Sequence, residues 1–188
     1  MPWDQYEALF AGAMRGLGYR VESVHRDSDP VAMVRAADAI AVGGGNTFHL
    51  LREMYRSGAL EAIRERAMAG VPYLGWSAGS VVACPTIRTT NDMPIVEPPS
   101  LDSLGLVPFQ INAHYNEWHP EGFQGETRMQ RLAEFCAANP GVYVVGLPEG
   151  GMLRVKGERV ELLGGVGAKV FVQGREARWV EEGELRLN

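Results

Sequence analysis

At 188 residues with a net charge of −5, the chain is long enough for one domain with a sizeable core. Its 46% hydrophobic and 22% charged content are those of a soluble globular protein. No Lys/Arg-rich block marks a nucleic-acid partner, and no apolar stretch approaches the roughly 20 residues of a membrane span. The first ten residues include Asp4 and Glu7 and lack the charged-then-apolar pattern of a secretory leader. Cys84 and Cys136 have neither metal-ligand spacing nor a redox motif and read as reduced core thiols. The histidines at 25, 49, 114 and 119 form no metal-binding motif. These features describe a cytoplasmic, metal-independent protein.

In chain order, apolar residues at 3, 6, 9, 10, 13, 14 and 17 make a helical stripe that ends at Gly18. Tyr19–His25 alternates as a strand. Val31–Ala37 reads as a short helix and Ala39–Val42 as a buried strand closing in Gly43-Gly44-Gly45. Asn46 or Thr47 caps a helix over His49–Ser57, and Gly58 separates it from a second over Leu60–Ala69. Val71–Trp76 reads as a strand and Ser77–Ala83 as a helix. The Pro-rich, polar stretch Thr86–Ser103 is an ordered loop. Leu106–Ile111 and Val142–Leu147 read as strands on either side of an amphipathic helix at Glu126–Ala138. Beyond them, Met152–Val155, Arg159–Leu163, Lys169–Gln173 and Ala177–Glu182 are short strands punctuated by glycines, read as antiparallel hairpins on a sheet edge. Strands alternating with helices imply an α/β fold, its sheet mostly parallel and covered on both faces, with a β-rich antiparallel C-terminus. No linker or repeat divides residues 1–188, so a single domain is expected.

Gly75-Trp76-Ser77-Ala78-Gly79 joins a strand to a helix and has the form of a nucleophile elbow. The turn exposes the Ser77 hydroxyl, and side chains at either flanking glycine would collide with neighbouring backbone. A packing-only turn of small residues has the same composition. A serine hydroxyl needs a base, and the base needs an orienting group. His114, just past a predicted strand, is the leading base candidate, and His119 is a rival. Asp92, in a polar island within a loop, and Glu149, past the end of a strand, both qualify as the orienting carboxylate. The turn at Gly43–Thr47 lacks the spacing of a phosphate loop. It fits either a tight capped turn or an oxyanion donor, in which the Gly45 amide complements that of Ala78. Arg128, at a helix N-terminus where a cation is mildly unfavourable, suits a bidentate grip on a substrate carboxylate.

Taken together, Gly-Gly-Gly-Asn-Thr-Phe at 43–48, Gly-Trp-Ser-Ala-Gly at 75–79, Thr-Thr-Asn-Asp-Met-Pro-Ile at 89–95, Ile-Asn-Ala-His-Tyr at 111–115, Gly-Glu-Thr-Arg at 125–128 and Leu-Pro-Glu-Gly at 147–150 resemble peptidase E, the aspartyl dipeptidase family of serine peptidases. The resemblance implies a flavodoxin-like or class I glutamine-amidotransferase-like sheet and cleavage of peptides with N-terminal aspartate (Asp-Xaa). It implies Ser77 as nucleophile, His114 as base, Asp92 or Glu149 as the third member, Gly45 and Ala78 as oxyanion donors, and Arg128 as the holder of the substrate aspartate. No cofactor or metal is implied, and a homodimer with the site near its interface is. The family begins with a strand–loop–strand segment ahead of the helix that starts here at Trp3. Its absence from this chain leads to the expectation of a sheet short of strands, with an exposed edge or compensation by oligomerisation. Two other readings follow: a cyanophycinase-like β-aspartyl peptidase, and an inactive binding or assembly homologue.

Overall fold

The computed structural model describes residues 1–187. Helix α1 (Trp3–Arg15) opens the chain. A 3-10 turn at Val24–Arg26 and α2 (Pro30–Ala36), capped by the Asp29 carboxylate on the Ala32 amide, lead into β1 (Ile40–Val42). Next come α3 (Thr47–Ser57), α4 (Ala59–Met68), β2 (Tyr73–Gly75) and α5 (Ala78–Val82). A long loop then reaches β3 (Gln110–Ala113), followed by α6 (Arg128–Ala138) and β4 (Val144–Leu147). The remainder is β-rich: β5 (Met152–Lys156), β6 (Arg159–Leu163), β7 (Ala168–Phe171), β8 (Arg178–Val180) and β9 (Gly183–Glu184).

The α/β class holds, with helices and both kinds of strand pairing. β1 runs parallel to β2, and β3 runs parallel to β4. The antiparallel C-terminal part attaches β7 to β4 and β8 to β7, while β5, β6 and β9 form a separate three-stranded sheet. The two parallel pairs are not hydrogen-bonded to each other. α5 packs on β1, β2 and β3 and spans the interval.

Each pair has its own core. Around β1 and β2, fully buried Leu51, Val82, Ile87 and Leu104 join Leu60 and Ile63, drawn from the inner faces of α3, α4 and α5 and the loop after α5. Around β3 and β4, Val145, Leu162, Ala168 and Phe109 are buried, and Leu132 and Cys136 of α6 press on Val144 and Phe171. Each such aliphatic or aromatic side chain contributes about 1.5–3 kcal/mol by leaving water. Cys84 and Cys136 are both free and buried. Burial pushes the Cys84 thiol up to about 12, so it stays protonated, and its sulfur accepts the Ile111 amide at 3.1 Å.

Two local expectations are revised. Tyr19–His25 alternates in sequence but is a coil ending in the 3-10 turn, because no neighbouring strand offers it a ladder among the described residues. Instead His25 and Arg26 turn back onto Asp4 and Glu7 of α1. The third strand begins at Gln110 rather than Leu106, since the preceding residues are drawn back by hydrogen bonds to Val82, Ala83 and Cys84 carbonyls. The helix expected from the stripe at 3–17 forms as α1, ending at Arg15. No residue of α1 is buried, and Tyr6 and Phe10 stack instead on Trp76.

The closest approach at any glycine lies where β1 ends. A Cβ on Gly79 would stand 1.9 Å from the Val42 carbonyl oxygen, and one on Gly75 would stand 2.4 Å from the Gly79 oxygen. Both obstacles are backbone, so neither can swing away. Gly12, in α1, has nothing within 4 Å of its Cβ position. Gly79→Ala is therefore expected to yield misfolded protein. Gly12→Ala should raise the melting temperature, since alanine in a helix interior is favoured over glycine by about 1 kcal/mol. Circular-dichroism melting of the two variants beside the parent checks both.

Candidate active site

β2 ends at Gly75, and the chain turns through Ser77 into α5. Ser77 has φ 54° and ψ −119°, a conformation rare for a residue with a side chain. It is held by the glycine contacts above and by the first turn of α5, where Ser80 and Val81 amides both donate to the Ser77 carbonyl.

The opposing residues come from the other parallel pair. Ala113 of β3 is in register with Leu147 of β4, and the Tyr115 amide donates to the Leu147 carbonyl one step further on. That register leaves His114 and Glu149 side by side at the C-terminal end of the sheet, where open α/β sheets place their sites. The Ser77 hydroxyl lies 2.8 Å from His114 Nε2, and His114 Nδ1 is hydrogen-bonded to the Glu149 carboxylate. With the ring hydrogen on Nδ1, Nδ1–H donates to Glu149 and Nε2 accepts the serine hydroxyl. His114 also has a positive φ, 56°, and Arg128 donates to its backbone carbonyl through Nη1. The site is open. The His114 and Glu149 side chains are 50% and 81% exposed.

The two candidate carboxylates are thereby separated. Glu149 meets the imidazole; Asp92 does not. The Asp92 carboxylate instead accepts the Thr47 amide at 2.7 Å and the Thr47 hydroxyl at 2.6 Å, with the Thr90 hydroxyl at 3.3 Å. It adds to the N-terminal cap of α3, where the Asn46 side chain already accepts the His49 amide. Its loop also reaches β3: Asn91 Nδ2 donates to the Ala113 carbonyl and the Thr89 hydroxyl to the Ile111 carbonyl. His119, the rival base, sits on the exposed loop after β3, with Nδ1 near the Pro120 carbonyl and its ring stacked on Phe123.

The glycine turn after β1 faces Ser77. A Cβ on Gly44 would lie 3.0 Å from Ser77 Cβ, and the Gly44 amide donates to the Tyr6 hydroxyl at 2.8 Å. Neither the Gly45 nor the Ala78 amide has an acceptor among the described residues. Arg128 opens α6 behind a capping box built by Thr127 and Gln130. It forms no ion pair among the described residues, and desolvation lowers its pKa without removing its charge.

Sequence reasoning overlooked the site roles of Tyr6 and Glu117, and read Thr47 only as a cap candidate. Glu117 accepts the Tyr115 hydroxyl at 3.0 Å and pairs with Lys169 at 3.1 Å, tying the chain just after His114 to β7. The only signal for these residues is chemical: polar groups beside an unusual turn that need partners.

Matching against known proteins gives a consistent answer. Residues 1–163 match the family model described as peptidase family S51. The chain is 50% identical over 169 residues to peptidase E of Shewanella amazonensis, covering 90% of this chain and 72% of that protein. It is 46% identical over 181 residues to peptidase E of Salmonella newport, covering 96% and 79%. Among solved structures, a candidate peptidase E protein from Listeria monocytogenes EGD-e superposes with a TM-score of 0.62 at 29% identity over 81% of this chain and 74% of that one. A peptidase from an acI-B1 Actinobacterium superposes with a TM-score of 0.69 at 17% identity over 98% and 76%, a likeness of fold.

Two tests follow from the hydrogen bonds around the site. Asp92→Asn removes the charge from the α3 cap and should destabilise the protein by about 1–2 kcal/mol, read as a lower urea midpoint. The second concerns Glu117, whose carboxyl is held below its ordinary value by the Lys169 and Tyr115 hydrogen bonds. A carboxyl depressed in the folded state stabilises above its unfolded pKa, and that contribution fades as pH falls through the folded value. Glu117→Gln should therefore lower the melting temperature at pH 7, with the difference from the parent shrinking as pH drops below about 4.3. Beyond these details, the match over most of its length and the close relatives place the chain in peptidase family S51, a serine-type peptidase and hence a hydrolase.

Proposed function

We propose that this chain hydrolyses short peptides bearing an N-terminal aspartate, through Ser77, His114 and Glu149. The observation that carries the reading is the unbroken relay from the Ser77 hydroxyl to His114 Nε2 and from His114 Nδ1 to Glu149.

His114 takes the proton from Ser77 as the hydroxyl attacks the carbonyl following the N-terminal aspartate. The Gly45 and Ala78 amides hold the oxygen that becomes negative, and Glu149 keeps the imidazole in the required tautomer. His114 then gives the proton to the leaving amine. Water repeats the sequence on the acyl-enzyme and releases aspartate. Two preorganised amides suit this chemistry because they need not reorganise as charge develops, and losing one donor typically costs about 10²–10³ in rate.

Specificity for aspartate needs a cation, since asparagine has nearly the same shape. Arg128 is the candidate: it lies beside His114, has no carboxylate partner among the described residues and keeps nitrogens beyond the one on the His114 carbonyl. The relatives named peptidase E support a peptidase, and the choice of Arg128 rests on its place beside His114. Asp92 supports the oxyanion turn through Thr47 in this reading. Action as a homodimer in the cytoplasm completes the reading on family resemblance.

The test is release of free amino acid from Asp-Leu, Asn-Leu and Ala-Leu, and from α- and β-linked Asp-Arg, with and without a chelator. The expected outcome is turnover of α-linked aspartyl peptides, insensitive to chelation and abolished in Ser77→Ala. Preference for the β-linkage would move the protein to the cyanophycinase-like reading, and no turnover by folded protein would leave a binding module. Arg128→Ala should cut the preference for Asp-Leu over Asn-Leu by about tenfold to a hundredfold, the worth of a charge-assisted contact. Glu149→Gln should lower kcat with little change in KM. Because Glu149 is exposed and its field is screened, the loss should fall short of the roughly 10⁴ seen when a buried orienting carboxylate is neutralised.

A further inference from the structure

Three consecutive glycines close β1: Gly43 and Gly44 each lie against a different neighbour, and Gly45 is set by its backbone conformation. Gly45 has φ 138°, and Gly44 lies against Ser77. Gly43 leaves room for Tyr6: a Cβ there would stand 2.2 Å from the Tyr6 hydroxyl oxygen and 2.6 Å from its ring. The space is used. The Tyr6 oxygen accepts the Gly44 amide at 2.8 Å, and its ring stacks on Trp76 with centroids 6.4 Å apart and planes 6° from parallel. One side chain from α1 therefore touches the residue that precedes Ser77 in the chain and the turn that faces Ser77 across the cleft.

We propose that Tyr6 is a positioning residue for the acyl-transfer step, acting through the Gly44 amide on the oxyanion donor at Gly45. The inference rests on the proposed function above. Only the two torsions of Gly44 separate its amide from that of Gly45, and an untethered Gly-Gly pair explores many orientations. The turn is anchored at both ends. Tyr6 takes the Gly44 amide, and Asp92 takes the Thr47 amide at 2.7 Å. Between these anchors the Gly45 amide has no acceptor among the described residues and is available to the substrate. By occupying the Gly44 N–H, Tyr6 also removes it as a competing donor, so the oxyanion meets Gly45 and Ala78. A fixed donor is valuable because a misplacement of about 1 Å near the reacting atoms can cost about 10² in rate.

The test is Tyr6→Phe, which keeps the ring on Trp76 and removes only the acceptor oxygen. Assays use Asp-Leu as substrate, aspartate as product ligand, and an aspartyl aldehyde that forms a tetrahedral adduct with serine. The expected result is a fall in kcat of about tenfold to a hundredfold. KM and the aspartate Kd should stay within about twofold, because an oxyanion donor acts on the transition state and not on ground-state binding. The aldehyde inhibition constant should rise in step with the loss of kcat. Gly43→Ala, which displaces the hydroxyl together with the adjoining ring edge from the glycine side, should give the same kcat loss without a matching rise in KM, and it carries the test if Tyr6→Phe does not fold. An active parent with a Tyr6→Phe variant at parental kcat overturns the inference and leaves the proposed function standing. So does a variant that loses kcat only as KM and thermal stability deteriorate together. A folded parent that releases no aspartate overturns the proposed function, and this inference with it.

Discussion

The site depends on a backbone-to-backbone approach that only glycine permits. The Val42 carbonyl at the end of β1 presses on Gly79 in α5, and Gly75 at the end of β2 presses on the Gly79 carbonyl. With no side chains between them, the strand ends and the helix start are locked together. The turn between Gly75 and Gly79 then places Ser77 in its unfavourable conformation. Such a conformation costs of order 1–3 kcal/mol and persists only where the surroundings overdetermine it. Here they do: α5 is anchored below by Val81 and Val82, both buried in the core around β1 and β2.

A second constraint joins the halves of the site. The parallel pairs β1–β2 and β3–β4 carry Ser77 and His114 respectively, and no ladder links the pairs. The polar loop at Thr89–Asp92 makes the connection with side chains. Asp92 grips the start of α3, while Thr89 and Asn91 grip β3. Buried Asn112 returns the contact by donating to the Thr89 carbonyl and the Asn91 side chain. The loop has no helix or ladder strand of its own, so these hydrogen bonds define it. Each is worth about 1 kcal/mol net, and leaving such buried groups unpaired would cost more.

Most of the fold is legible in the sequence because its elements are short and strongly marked. Apolar spacing locates the helices at α3, α4 and α6 to within a few residues, since each must bury one face. Glycines locate the hairpins of the C-terminal part. Failures occur where partners decide. Alternation at Tyr19–His25 has the period of a strand, but alternation alone supplies no neighbour to bond its backbone. The stripe at 3–17 does form helix α1, but that it meets the ring of Trp76 lies outside its pattern.

By itself the sequence determined the kind of chemistry and the family: a serine on a glycine-flanked elbow, a histidine past a strand end, and ordered motifs resembling one set of peptidases. It left two carboxylates in competition: Glu149 is favoured by its place past a strand end, but loop composition does not exclude Asp92. The tertiary structure separated them through one feature, the parallel register of β3 with β4. That register brings residue 149 beside residue 114 and leaves Asp92 to the α3 terminus. It also gave Tyr6 a place at the glycine turn, which no local pattern could foretell. Side-chain chemistry and turn strain are properties of adjacent residues, whereas which groups meet across the sheet depends on how distant segments align.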